Sequence, residues 1–377
     1  MKSLLKIVLI ATCVAISMQV SAFTPEIKTI KLSNGEEIVA RLCLPEKGQI
    51  NTIVVTIHGT GPQTYLTKRE GFNYYDVLAD GFCEKGVGFF TYSRRGVEDG
   101  ETAPNFDKVD SAKHTKYLPH NEADDIETMV TFLKKDKRFK NCKIILYGIS
   151  EGTIIAAMVA DRKKVEIDAI FLHGYAHENM YDIMKWQLVN EKSMSQAMDI
   201  INQGFDKNDD KVVNKQEYES EDPTAVAYKK SLFGNAVFDS IDLTKDSVYD
   251  VQDIKEARKM YHSFIMNRIA ENDERWIWNN YFRVTMGWLR EHYALEPNKT
   301  RLLRVDIPIY IFHGTDDANV PVEGVYDLVE RFKTCNKSNL KTFVFDKHSH
   351  DLNFANWLTK KEHSEGTQKI FDTSAEI

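Results

Sequence analysis

Cysteine is scarce in this chain: five stand among 377 residues, at positions 13, 43, 83, 142 and 335. So few thiols do not make a disulfide framework, and no C-x-x-C pair or Cys/His cluster points to a zinc site. Basic charge is short as well. Lys and Arg number 49 against 56 Asp and Glu, a formal charge of −7, whereas a nucleic-acid partner calls for a basic face. No apolar run is long enough to span a bilayer, and no fixed-period repeat or low-complexity tract is present. What is there is a globular composition, 42% hydrophobic and 11% aromatic. At this length it suits one large α/β domain with an insertion, or two domains.

Residues 1–22 read as a secretory signal. Lys2 and Lys6 flank a short basic start, Ile7 to Ile16 is apolar, and Val20, Ser21 and Ala22 are small residues suited to cleavage. A secreted or periplasmic location is therefore expected. The alternative is a lipoprotein anchored through Cys13, against which stands Thr12 where a Gly, Ala or Ser would precede a lipidated cysteine.

Two alternating runs, Ile27 to Leu32 and Glu37 to Leu44, surround Asn34-Gly35 and predict a two-residue hairpin at a sheet edge. Ile53 to Ile57, Val87 to Tyr92, Ile144 to Tyr147 and Ile167 to Leu172 read as buried strands. Helical stripes separate the later ones, as in Asn121 to Phe132 with Ile126, Met129 and Val130. Strands alternating with helices imply a parallel sheet covered on both faces. The alternation stops near Tyr175 and resumes with the strand Ile307 to Phe312, the helix Val325 to Phe332 and the strand Lys341 to Phe345. A crossover needs roughly a dozen residues, so 176–303 must hold an insertion. The polar tail after Leu358 is expected to fray.

Directly behind Ile144 to Tyr147 come Gly148, Ile149, Ser150, Glu151 and Gly152, ahead of the small-residue helix Thr153 to Ala160. This is a G-x-S-x-G elbow in the context it requires, a strand turning sharply into a helix. A serine hydroxyl is a weak nucleophile, so it needs a base on one side and amide donors on the other. Two further clusters follow strands: His313, Gly314, Thr315, Asp316, Asp317 through Val320 and Pro321, and Asp346, Lys347, His348, Ser349, His350, Asp351.

With these stretches and His58-Gly59-Thr60-Gly61-Pro62 and Tyr92-Ser93-Arg94-Arg95-Gly96 in view, the chain resembles a serine hydrolase of the α/β-hydrolase superfamily, in its secreted esterase and dipeptidyl-peptidase-like branch. The resemblance covers roughly 27–175 and 304–358. It implies an α/β fold with a mostly parallel central sheet flanked by helices and a large helical lid. The core would comprise 23–175 and 304–377, with the lid at 176–303. It further implies Ser150 as nucleophile, Asp317 of the Asp-x-x-Val-Pro turn as acid with Asp316 as runner-up, and His350 as base in preference to His348. The Thr60 and Glu151 amides would form the oxyanion hole. His58 and His313 read as structural, and Arg94 and Arg95 as salt-bridge partners before substrate ligands. No cofactor is implied for catalysis.

The insertion carries a signal outside that resemblance. Asp206, Asn208, Asp210, Val212, Asn214 and Glu217 follow EF-hand spacing, with Lys211 in place of the usual glycine at the sixth position. A weaker copy runs through Asp242, Thr244, Asp246, Val248, Asp250 and Asp253, ending in Asp where Glu is usual. Both resemble calcium-binding loops, and any calcium would be structural. Trp276, Trp278, Tyr281, Phe282, Met286 and Trp288 crowd one stretch, either as a packed helix face or as the wall of a pocket favouring a hydrophobic ester.

The expected function is exported hydrolysis of a small-molecule carboxylic ester. Alternatives are a serine peptidase, a thioesterase and, in another class, a non-catalytic binding protein ordered by calcium.

Overall fold

The computed structural model describes residues 22–377. The expected signal 1–22, apart from Ala22, and Cys13 with it lie outside the described residues. Eight strands form the central sheet: β1 (Phe23–Lys31), β2 (Glu37–Pro45), β3 (Thr52–Ile57), β4 (Gly88–Tyr92), β5 (Lys143–Ile149), β6 (Ala169–His173), β7 (Ile309–Gly314) and β8 (Leu340–Phe345). Their order across the sheet is β1-β2-β4-β3-β5-β6-β7-β8. The β1/β2 and β2/β4 pairs are antiparallel and the rest parallel.

The inner strands are β-branched and apolar, and every residue of β3 is buried. That is what a sheet covered on both faces demands. Side chains alternate between two cores. On one side Ile53, Val55, Ile144, Leu146 and Ile170 meet helices α2 (Pro119–Lys135) and α3 (Gly152–Arg162). On the other Val54, Phe89, Ile145 and Phe171 meet α1 (Tyr74–Glu84) and the C-terminal helix.

Two expectations change. The β1–β2 connection is not a two-residue turn: Leu32 N donates to the Glu36 carbonyl at 2.7 Å and Gly35 N to the Leu32 carbonyl at 2.9 Å, so Ser33 to Gly35 form a three-residue loop. Gly35, at φ 87°, takes the left-handed place that such a loop requires. The tail does not fray. Ser364 caps a helix over Glu365–Glu376, whose Ile370 and Phe371 are buried, with the Phe371 ring edge-on to Phe82 at 4.8 Å. Its apolar stripe is short and built partly of small residues, so average polarity hid it.

Between β6 and β7 the chain is mostly helical. Its helices include α4 (Met180–Val189), α5 (Glu191–Phe205), α6 (Val251–Ala270) and α7 (Met286–Ala294), followed after β7 by α8 (Glu323–Thr334). Part of this insertion has a core of its own, built from Met194, Met198, Phe205, Tyr218, Phe238 and Tyr249. Among the described residues no helix is long and apolar enough to cross a membrane.

Candidate active site

Strand β5 ends at Ile149 and α3 begins at Gly152, which leaves two residues to reverse the chain. Ser150, partly exposed, occupies the tip at φ 57°, a left-handed conformation that costs a non-glycine residue energy and persists only where its surroundings fix it. Its amide donates to the His173 carbonyl (2.8 Å), and its carbonyl accepts from Thr153 N (2.9 Å) and Thr153 Oγ1 (2.7 Å). A Cβ on Gly148 would run into the Gly152 carbonyl, and one on Gly152 into the Ile57 carbonyl. Only glycine fits on either side of the turn.

The register aligns the carboxyl ends of β3, β5 and β6, with Ile57 opposite Gly148 and His173 opposite Ile149. The loops after β7 and β8 reach the same edge. Asp317 is fully buried: its Oδ1 accepts from Asn319 N (2.8 Å) and Val320 N (2.9 Å), and its Oδ2 accepts from His350 Nδ1 (2.8 Å). Burial pushes this carboxyl up, but the charge and hydrogen bond of His350 outweigh it and hold it below the usual carboxylate range. The His350 ring packs on Gly174, next in chain to the residue that receives the Ser150 amide: a Cβ there would sit 2.6 Å from His350 Cε1. Among the described residues no hydrogen bond yet joins the ring to Ser150 Oγ. His348 is half-buried and bonds the Asp346 carbonyl (2.9 Å), and Asp316 meets Thr315 Oγ1 at 3.4 Å.

His58 and His313 are buried and neutral in their bonding. His58 Nε2 donates to the Tyr92 carbonyl (2.7 Å) while Nδ1 accepts from Tyr75 (2.6 Å), and burial, reinforced by Arg94, pushes its pKa down to about 3. His313 Nδ1 accepts from Tyr175 N (3.1 Å).

Neither the Thr60 nor the Glu151 amide donates to another protein group among the described residues. Both loops are held from behind. The buried Arg94 guanidinium donates to the carbonyls of His58, Gly59 and Gly61, and on its other edge to Glu122 at 2.9 and 3.0 Å. With those carbonyls drawn inward, Arg94 fixes the conformation of the loop that carries the Thr60 amide. Arg95 instead forms a fork with Asp125 (2.6 and 2.7 Å).

The Glu151 side chain, about which the sequence says nothing, is buried behind the elbow. Trp288 Nε1 (2.9 Å) and His292 Nε2 (2.7 Å), both on α7, donate to its Oε1, and Tyr117 donates to its Oε2. Burial raises this carboxyl, but His292, Arg94 and Tyr117 more than offset that and bring it to about 2. Its partners come from positions 117, 288 and 292, so no local pattern could reveal the cluster.

The family model Hydrolase_4, described as serine aminopeptidase, S33, matches residues 48–354. The chain belongs to this family. None of the curated proteins compared matches it. As a fold, this hydrolase is similar to a highly thermostable carboxyl esterase from Bacillus coagulans in complex with glycerol: TM-score 0.51, 16% identity, covering 93% of this chain and 99% of that one. It is also similar to an esterase from Pyrococcus furiosus: TM-score 0.50, 12% identity, covering 94% and 91%. At such identities the likeness establishes the fold, an α/β-hydrolase, and the family match makes the chain a hydrolase.

The hydrolase's two acidic loops lie within the insertion, between the end of α5 and the first turn of α6. Asp206 accepts from the amides of Asp209, Asp210 and Lys211 (2.7, 3.2 and 3.0 Å), and Glu217 from those of Lys207 and Asn214 (both 3.1 Å). In the second loop Asp253 accepts from Leu243, Thr244 and Asp250 (2.7, 3.0 and 3.0 Å), and Asp242 from Lys245 and Ser247 (2.7 and 3.1 Å). The sixth residues, Lys211 and Ser247, both take positive φ, 70° and 73°. The eighth, Val213 and Tyr249, pair in a short antiparallel ribbon. Among the described residues no group of three or more His, Cys, Asp or Glu is arranged to hold a metal ion.

The aromatic stretch is not one helix face. It splits between Glu274–Asn280 and α7. Met286 and Trp288 are buried in the core, Trp276 and Tyr281 pack against it, and Trp278 meets His114 edge-on at 5.8 Å. Phe282, 61% exposed, borders a cavity whose lining is mostly polar.

Proposed function

We propose that this hydrolase cleaves small-molecule carboxylic esters through a Ser150–His350–Asp317 triad. The observation that carries the reading is the 2.8 Å bond from His350 Nδ1 to the buried Asp317, which leaves Nε2 free on the edge where Ser150 is held at the tip of its turn. His350 Nε2 takes the Ser150 proton as Oγ attacks the acyl carbonyl. The Thr60 and Glu151 amides receive the oxyanion, and His350 returns the proton to the departing alcohol. Water then repeats the sequence and releases the acid. A fluorophosphonate probe should label the wild type and not Ser150→Ala, and the variant should lose at least about 10³-fold in kcat on p-nitrophenyl esters. A folded Ser150→Ala protein with wild-type hydrolysis overturns the reading.

Peptide hydrolysis is the second reading, favoured by the family description. The same triad cleaves amides, so aminoacyl-aminocoumarins run beside the esters decide between them. In both readings 176–303 acts as a lid over the site, and the protein is exported after loss of 1–22.

The paired loops support a structural calcium site. Their donors are oxygens, as a hard cation requires, and their eighth residues pair across the ribbon Val213–Asn214/Val248–Tyr249. Calcium should register in titration calorimetry and raise the melting temperature, and a chelator should reverse the rise. No heat and no shift would dispose of the idea.

A further inference from the structure

A cavity of about 610 Å³ opens beside the oxyanion loop. One wall is Thr60 and Gly61, and the facing wall comes from the insertion, with Asn280, Phe282 and Arg283. Thr60 also adjoins Gly59, where an added Cβ would touch Ser150 Cβ at 3.4 Å, so the cavity wall starts one residue from the glycine that packs on the proposed nucleophile. The walls meet closely: Gly61, at φ +96°, comes so near the Phe282 carbonyl that a Cβ would stand 3.1 Å from it. Thr67, Phe282 and Arg283 around the cavity hold φ of 47°, 46° and 52°, conformations that persist only where neighbouring structure imposes them.

The lining is polar and cationic, although the chain as a whole carries −7. Arg283 is neutralised by Asp107, also in the wall, through two bonds of 2.8 and 2.7 Å. Lys68 reaches Glu101 at 3.1 Å, but that carboxylate is 89% exposed and outside the lining, so water screens the pair. Arg69 donates to the Lys68 carbonyl at 2.9 Å and enters no ion pair among the described residues. The cavity thus presents two cations with incomplete partners and several amide side chains. Such a concave positive surface draws in and orients an anion.

We propose that this cavity is a substrate subsite for a carboxylate, and that the preferred substrates are esters or amides bearing one a few bonds from the scissile carbonyl. The inference rests on the serine-hydrolase reading above and specifies its substrate class. Two matched pairs test it: 4-nitrophenyl hydrogen glutarate against 4-nitrophenyl butyrate for an acyl-side anion, and 4-acetoxybenzoate against 4-acetoxybenzamide for a leaving-group anion. With each rate corrected for spontaneous hydrolysis, kcat/KM should favour the anionic member of at least one pair by about fivefold or more. In Arg69→Gln that preference should fall by about the same factor. Arg69 is exposed, and Lys68→Gln supplies a second variant if the first fails to fold. Hydrolysis of the neutral esters with no anionic preference in either pair overturns the subsite and leaves the hydrolase reading standing. Hydrolysis of none, with Ser150 unlabelled by fluorophosphonate, overturns both.

Discussion

Arg94 gathers the carbonyls of His58, Gly59 and Gly61 on one buried guanidinium whose other edge is locked to Glu122. A lysine keeps the charge but offers one compact ammonium, which cannot span three carbonyls and a carboxylate in a fixed plane. Arg94→Lys should therefore loosen the loop that carries the Thr60 amide. The expected outcome is a fall in kcat of about 10-fold or more with KM little changed, and a loss of about 2 kcal/mol of stability in urea unfolding. Unaltered kcat in a destabilised protein would confine Arg94 to a structural role. Much of this candidate site was legible at the residue scale. The elbow glycines, Ser150 and the Asp317 and His350 clusters announce themselves because each follows an apolar strand. Arg94 was legible as a salt-bridge partner, which it is to Glu122, but its hold on the carbonyls of His58, Gly59 and Gly61 was not, since these belong to another loop. Glu151 was read for its amide alone, because the groups that satisfy its carboxylate lie 34 residues before it and 137 and 141 after it.

Helix α7 belongs to the insertion, yet two of its side chains reach through the core to the residue after Ser150. Its own burial explains the reach: Met286, Trp288, Leu289 and His292 lie on the inward face, and the side chain of Thr285 caps its start by accepting from Trp288 N (3.1 Å). Glu151 stands at the start of α3, so a donor lost from its carboxylate disturbs the same residue whose amide is proposed to receive the oxyanion. His292→Ala should cost about 2 kcal/mol of stability, the value of one hydrogen bond to a buried charge. It should also lower kcat by about 10-fold with little change in KM. His292→Gln, which restores an N–H near the Nε2 position, should recover part of the kcat. A variant that loses stability alone would reduce the α7 contact to packing. Element by element, the sheet was readable because each buried strand is a continuous apolar run bounded by turn residues. The C-terminal helix was not, because Thr367 and Ser374 share its buried face with Ile370 and Phe371. The aromatic stretch misled for a related reason: ring spacing along the chain says nothing of the break at Tyr281 to Thr285 that sends the two halves to different neighbours.

Among the described residues most buried apolar side chains fall into three cores, and the boundary of the third runs through the insertion. The two large cores share the sheet, so neither can open without the other. The third, within Met194 to Ile254, meets the rest through α6, whose Ile254 belongs to the small core and Ile265 to a sheet core, and through the Lys192 and Gln196 side chains of α5, which donate to the Thr315 and Asp316 carbonyls. A unit of about 60 residues buries too small a fraction of its surface to be very stable alone, whereas α7, with its hold on Glu151, packs into the larger core. The small unit should therefore open first. Hydrogen exchange should find the amides of α5 and of the Val213–Asn214/Val248–Tyr249 ribbon exchanging well before those of β3 and β5. Urea unfolding should show an early step that leaves the Trp288 environment unchanged. Calcium, bound as proposed, should move that early step to higher urea and leave the later one in place, since a ligand stabilises only the unit whose folded form binds it. A single coincident transition, or a calcium shift of both steps together, would mean that the insertion and the sheet fold as one cooperative body.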